Sequence, residues 1–91
     1  MAKRKKFEPR DQIAYIPLHA SGDIKHPDVE LGFVTSVRDD TAFCRYWSKW
    51  EQGELRTKAN SEGTPIAQLV YHVSTSQEIV DALYRALGYD D

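Results

Sequence analysis

The sequence predicts a mainly β domain, with four or five short antiparallel strands bent into a small barrel and one α-helix at its C-terminal end. Three observations predict it. Apolar stretches of seven or eight residues recur between residues 12 and 73, separated by Gly, Pro, Asp and Asn. A helical apolar period begins only after Thr75. The chain has 91 residues, enough for one modest core.

Gln12 to Leu18 alternates, with Ile13 and Tyr15 on one face and Ala14, Ile16 and Leu18 on the other. Both faces are apolar, as in a strand covered on each side. Pro17 cannot donate to a ladder, so the strand should end near it or lie at an edge there. Ala20 to Glu30 is polar, holds Gly22 and Pro27, and reads as a long loop. Leu31 to Arg38 is a β-branched-rich strand, and Thr41 to Trp47 should return antiparallel to it. Asp39 and Asp40 form the turn between them, because Asp tolerates turn dihedrals. Ser48 to Gly63 reads as a loop enclosing a short strand near Leu55. Ile66 to Val73 is the closing strand. Thr75 and Glu78 have the spacing of a capping box, Ile79, Leu83 and Leu87 form one stripe, and Gly88 sits where a helix ends. Such few, short strands suit an SH3-like barrel better than a sandwich. Residues 1–6 form a flexible basic arm, and residues 7–91 form the body, with its helix over about 75–87.

Apolar residues make up 41% and charged residues 29%, an ordinary balance for a folded domain. Apolar runs stop at four residues, far short of the roughly 20 that span a bilayer. The basic start is not followed by a hydrophobic segment and does not read as a secretory signal. The single cysteine, Cys44, excludes an internal disulfide and a cysteine-rich zinc site, and points to a reducing cytoplasm. The net charge of −2 conceals a division. Residues 1–10 hold five basic groups against one acid, and the remainder holds seven against thirteen. That argues against a basic nucleic-acid-binding body while leaving a basic tail.

The hairpin strand carries the most distinctive surface. Ala42, Cys44 and Tyr46 share one face and suit the inside of a narrow barrel. Phe43, Arg45 and Trp47 share the other, with Trp50 and Arg56 beyond. Trp and Arg dominate binding hot spots, so Arg45, Trp47, Trp50 and Arg56 form the candidate protein-binding surface. The plainer alternative is that the C-terminal helix covers this face and buries Phe43 and Trp47. Lys3, Arg4, Lys5 and Lys6 supply a second reading, in which the arm holds phosphates and Trp47 and Trp50 stack on unpaired bases. The loop from His19 to Glu30 gathers His19, His26, Asp23, Asp28 and Glu30. Its spacing matches no established ligand pattern, so turn formation is the expected role, with no metal and no cofactor. Cys44, mid-strand on the inner face, should be an inert small hydrophobe. No nucleophile elbow or phosphate loop is written here, and the chain does not read as an enzyme.

Gly22-Asp23, His26-Pro27-Asp28, Glu30, Gly32, Val34, Ser36 and the strand Phe43 to Trp47 resemble a group of small uncharacterised proteins. These belong to bacteriophages, prophages and bacteria, and their pattern reads GD..HPD.E.G.V.S. The resemblance continues through Asn60-Ser61-Glu62 to Gln68-Leu69-Val70 and covers roughly residues 7–73. It implies an SH3-like barrel of phage or bacterial origin and brings no established activity or catalytic residue. Position 29 in those proteins is often cysteine. Here it is Val29, which weakens any metal reading of the loop. The expectation is a cytoplasmic, non-enzymatic interaction module.

Overall fold

Arg38 pairs with Thr41, so Asp39 and Asp40 alone turn the chain, and Asp39 takes the left-handed φ of 53° that the turn requires. This hairpin is the spine of a computed structural model that describes residues 6–48 and 57–89. Its strands are β2 (Glu30–Arg38) and β3 (Thr41–Tyr46). Three shorter strands flank them, β1 (Gln12–Tyr15), β4 (Glu62–Pro65) and β5 (Leu69–Tyr71). All pair antiparallel in one open sheet, in the order β4-β3-β2-β1-β5, and α1 (Gln77–Ala86) follows. No described helix is long and apolar enough to cross a membrane.

Two details of the hairpin decide its shape. A Cβ on Gly32 would lie 2.3 Å from the carbonyl oxygen of Arg45, so only glycine allows β2 to approach β3 at that pair. Thr35 is an extra residue in the ladder between Val34 and Ser36, a β-bulge that bends the strand. Its hydroxyl donates to the Phe43 carbonyl at 2.9 Å, which satisfies a backbone acceptor in the irregular ladder.

The ends of the sheet differ from the sequence expectation. β1 stops at Tyr15, and a 3₁₀ turn at Leu18–Ala20 begins after Pro17, leaving Leu18 80% exposed. The closing strand expected over residues 66–73 is divided. Ile66–Gln68 forms a 3₁₀ turn, anchored by Ile66 N–H donating to the Asp40 carbonyl at 2.9 Å, and only Leu69–Tyr71 pairs with β1. β4 lies where a loop was expected, and the short strand expected near Leu55 falls outside the described residues.

One face of the sheet gathers Ile13, Val34, Ala42, Cys44, Tyr46 and Leu69, all fully or nearly fully buried, with Phe7 completing the cluster. Tyr15 of β1 and Thr64 of β4 lie three strands apart, a separation of roughly 14 Å in a flat sheet. Yet they line one small cleft, so the sheet curls. On the opposite face α1 covers Phe33 with Val80 and Tyr84, and Trp47, Leu83 and Tyr89 pack at the margin.

The stripe expected to face inward was Ile79, Leu83 and Leu87. Instead Val80 and Tyr84 are buried, while Ile79 is 45% exposed and Leu87 37%. The cap is also one residue later than expected. Thr75 bonds Gln12 through its backbone N–H and carbonyl, and Ser76 caps, its hydroxyl accepting from Glu78 N–H at 3.2 Å. Gly88 ends the helix with φ 86°, the left-handed geometry its position predicts.

Candidate functional site

Alternation along β3 distributes the side chains as the sequence implies. Ala42, Cys44 and Tyr46 are buried, and Phe43, Arg45 and Trp47 are half-buried on the other face. Arg45 is fixed from two sides. Its Nε donates to Thr57 Oγ1 at 2.7 Å and its Nη1 donates to the Tyr89 hydroxyl at 3.0 Å. The Tyr89 oxygen also lies 3.2 Å from Ser61 Oγ, which lies 2.8 Å from Thr35 Oγ1. The Ser61 hydroxyl, with the Arg45 guanidinium beside it, holds the Tyr89 phenol below its ordinary pKa. A polar chain thus ties the bulge in β2 to the segment after α1.

Trp47 packs against Phe33 with ring centroids 5.5 Å apart and planes tilted by 56°, and bridges to Thr57. Its indole N–H is buried and has no acceptor among the described residues. The helix-side cluster includes Trp47 but not Phe43, so the helix covers this face only in part. Trp50 and Arg56 lie outside the described residues, as do Lys3, Arg4 and Lys5. Lys6 is exposed, and its carbonyl accepts a hydrogen bond from the Tyr71 hydroxyl.

A second feature is a cleft of about 160 Å³ between β1 and β4, lined by Tyr15, Glu30, Tyr46, Glu62, Thr64 and Pro65. Lys58 Nζ pairs with Glu30 Oε1 near it, which raises the lysine pKa. Beneath lies a buried polar pair, Tyr46 Oη and Thr64 Oγ1, 2.6 Å apart. Burial raises the Tyr46 phenol above its ordinary pKa and pushes the Cys44 thiol up to about 11. Cys44 therefore stays protonated at neutral pH, unsuited to nucleophilic attack.

The third feature is the loop from His19 to Glu30. Ala20, buried, pins its start, and Ser21 and Gly22 take positive φ values of 51° and 79°. Backbone N–H groups of Asp23, His26 and Val29 donate to the carbonyls three residues earlier, so the loop is a chain of turns. That folding brings together His19, His26 and Asp28, although Asp23 and Glu30 turn elsewhere. Asp23 Oδ1 accepts from Lys25 N–H, and Glu30 pairs with Lys58.

Sequence reasoning overlooked Gln12. Its amide oxygen accepts from Ser74 and Thr75 N–H at 3.0 and 3.1 Å, and its amide nitrogen donates to the Thr75 carbonyl at 2.9 Å. This one buried side chain orients the whole approach to α1. The only sequence signal is a glutamine in an otherwise apolar strand. The chain matches no protein-family model, no curated protein and no solved structure.

Proposed function

We propose that this chain is a non-enzymatic interaction module on an SH3-like barrel, binding a protein partner through the outer face of the β2–β3 hairpin. The barrel reading is supported by the curl that brings Tyr15 of β1 and Thr64 of β4 to line one cleft. The binding reading is carried by the ordering of Arg45 between Thr57 and Tyr89, beside the packed Trp47. A guanidinium has five donors, so two bonds can hold it in place while it still meets a carboxylate of the partner. A side chain ordered before binding loses less entropy on association, which is how a half-buried Arg–Trp pair becomes a hot spot. In sequence, Trp50 follows Trp47 by three residues and Arg56 immediately precedes Thr57, and both belong to the same proposed binding set. The partner is acidic at its contact, and the setting is a bacterial or phage-infected cytoplasm.

Capture from bacterial lysate, with and without nuclease, tests this reading. A discrete protein should be retained after nuclease treatment and lost with Trp50→Ala or Arg56→Ala bait of unchanged melting temperature. Deleting residues 1–6 should leave capture intact. Capture that vanishes on nuclease treatment, or on removing Lys3, Arg4, Lys5 and Lys6, would overturn it in favour of a nucleic-acid accessory.

A further inference from the structure

We propose that His19, His26 and Asp28 form a binding site for a borderline divalent cation of the zinc class. The three residues stand at irregular sequence spacing, seven and two apart, but their ligand atoms all lie within 4.8 Å of one another. Ligands about 2.1 Å from a tetrahedral ion stand ~3.4 Å apart. One pair here, His19 Nε2 and Asp28 Oδ2, is already at 2.6 Å, so rotation of exposed side chains is enough to admit an ion.

Both ring nitrogens must be released for the task. The Asp28 carboxylate only accepts, so His19 Nε2 carries the proton it donates at 2.6 Å. An ion that takes this nitrogen displaces that proton to Nδ1 or to solvent. Asp28 N–H donates to His26 Nδ1 at 3.0 Å, which identifies Nδ1 as the nitrogen carrying the lone pair. An ion binding there releases an amide in an exposed loop, where water replaces the lost bond. The two imidazoles meet edge to face with centroids 5.2 Å apart, bringing both rings to one side of the loop. Two imidazoles and one carboxylate favour zinc-class ions over calcium or magnesium, which prefer all-oxygen shells. Three protein ligands leave room for water. The ion would clip the 3₁₀ turn after β1 to the turn that leads into β2.

Calorimetric titration of the full chain with Zn²⁺ tests the site. One equivalent should bind saturably, excess Ca²⁺ should not displace it, and His19→Ala or His26→Ala should weaken binding at least about tenfold. The melting temperature should rise with Zn²⁺ in the wild type and not in these variants. His72, the remaining histidine, serves as the internal control. Absence of saturable binding, displacement by Ca²⁺, or binding that survives both substitutions would overturn the proposal. Should the substitutions disturb the loop, histidine ring signals of the intact protein decide. Those of His19 and His26 should shift with one equivalent of Zn²⁺, and a shift of His72 alone would refute the site.

Discussion

The two faces of the curled sheet are stabilised by different means. The inner face is almost wholly apolar, and its polar side-chain pair, Tyr46 with Thr64, is internally satisfied. The helix-covered face rests on fewer apolar contacts, centred on Phe33, Val80 and Tyr84, and is tied at both ends by polar side chains. Gln12 holds the approach to α1, and Arg45 with Ser61 holds Tyr89 beyond it. The inner face therefore fails by overlap or cavity, and the outer face by loss of a hydrogen-bonding anchor. The outer face, with its smaller apolar cluster, is the one expected to open first.

Gly32→Ala should have the largest effect, since it forces a methyl to within 2.3 Å of the Arg45 carbonyl, a backbone atom that cannot move aside. We expect a loss of about 3 kcal/mol or more in denaturant unfolding, enough to leave this small domain largely unfolded. Gly22→Ala makes the contrast. Its site has a φ of 79° but open space around it, so the cost should be only about 1 kcal/mol. Equal effects would mean that the close approach of β2 to β3 is not what holds the hairpin.

Gln12→Leu should come next and should separate the two faces. It fits an apolar neighbourhood but strands the N–H groups of Ser74 and Thr75 and the Thr75 carbonyl. An unmet polar group costs about 1–3 kcal/mol when buried and less where water reaches it. Ser74 is exposed and Thr75 half-buried, so we expect about 1–2 kcal/mol in total. Hydrogen exchange should show amides of α1 losing protection before those of β2 and β3. Uniform loss across the molecule would refute the idea that the helix face is a separable unit.

The inner face was legible in the sequence because strand alternation depends only on neighbours two residues apart. Ala42, Cys44 and Tyr46 could be assigned inward from size and spacing alone. The hairpin turn and the terminating Gly88 are local signals of the same kind. The phase of the helix was not legible. Ile79 and Val80 both fit an apolar stripe, and the choice between them is made by packing on Phe33, more than forty residues away. The candidate site divides in the same way. Arg45 and Trp47 could be named from β3, but the Thr57 and Tyr89 that fix Arg45 could not. The convergence of His19 with His26 and Asp28 was hidden because it depends on successive turns, not on a fixed ligand spacing.

Alkaline pH should find the inner face before the outer one. Cys44 ionises near 9.0 in an unfolded chain and near 11 in the fold, because burial disfavours the thiolate. Below pH 9 both states hold the proton and stability is unaffected. Between 9 and 11 the unfolded chain releases its proton while the folded chain keeps it, so stability falls as pH rises. The loss from this group should be on the order of 2 kcal/mol by pH 11. Tyr46, raised by the same burial, adds to it above pH 10. A melting temperature flat from pH 8 to 11 would contradict the seclusion of both groups.

Cys44→Val should have the smallest effect at neutral pH and is the sharpest check on the inner face. Valine is apolar like the protonated thiol and larger by only about a methyl group, and what is lost is a weak contact from Sγ to the Ala42 carbonyl at 3.7 Å. The change should cost about 1 kcal/mol or less. The native thiol should meanwhile resist modification at pH 8, reacting only at the rate of opening, since it is both protonated and inaccessible. At high pH the order reverses. The valine variant has no thiol to ionise in the unfolded state, so its melting temperature should decline less between pH 9 and 11 than the wild type's. What remains is the part due to Tyr46 and to Tyr71 and Lys58, whose pKa values are also raised. If the two proteins decline in parallel, the alkaline loss belongs to other groups. Rapid labelling of native Cys44 would mean that the inner face opens as readily as the outer one, and the distinction between the faces would fall with it.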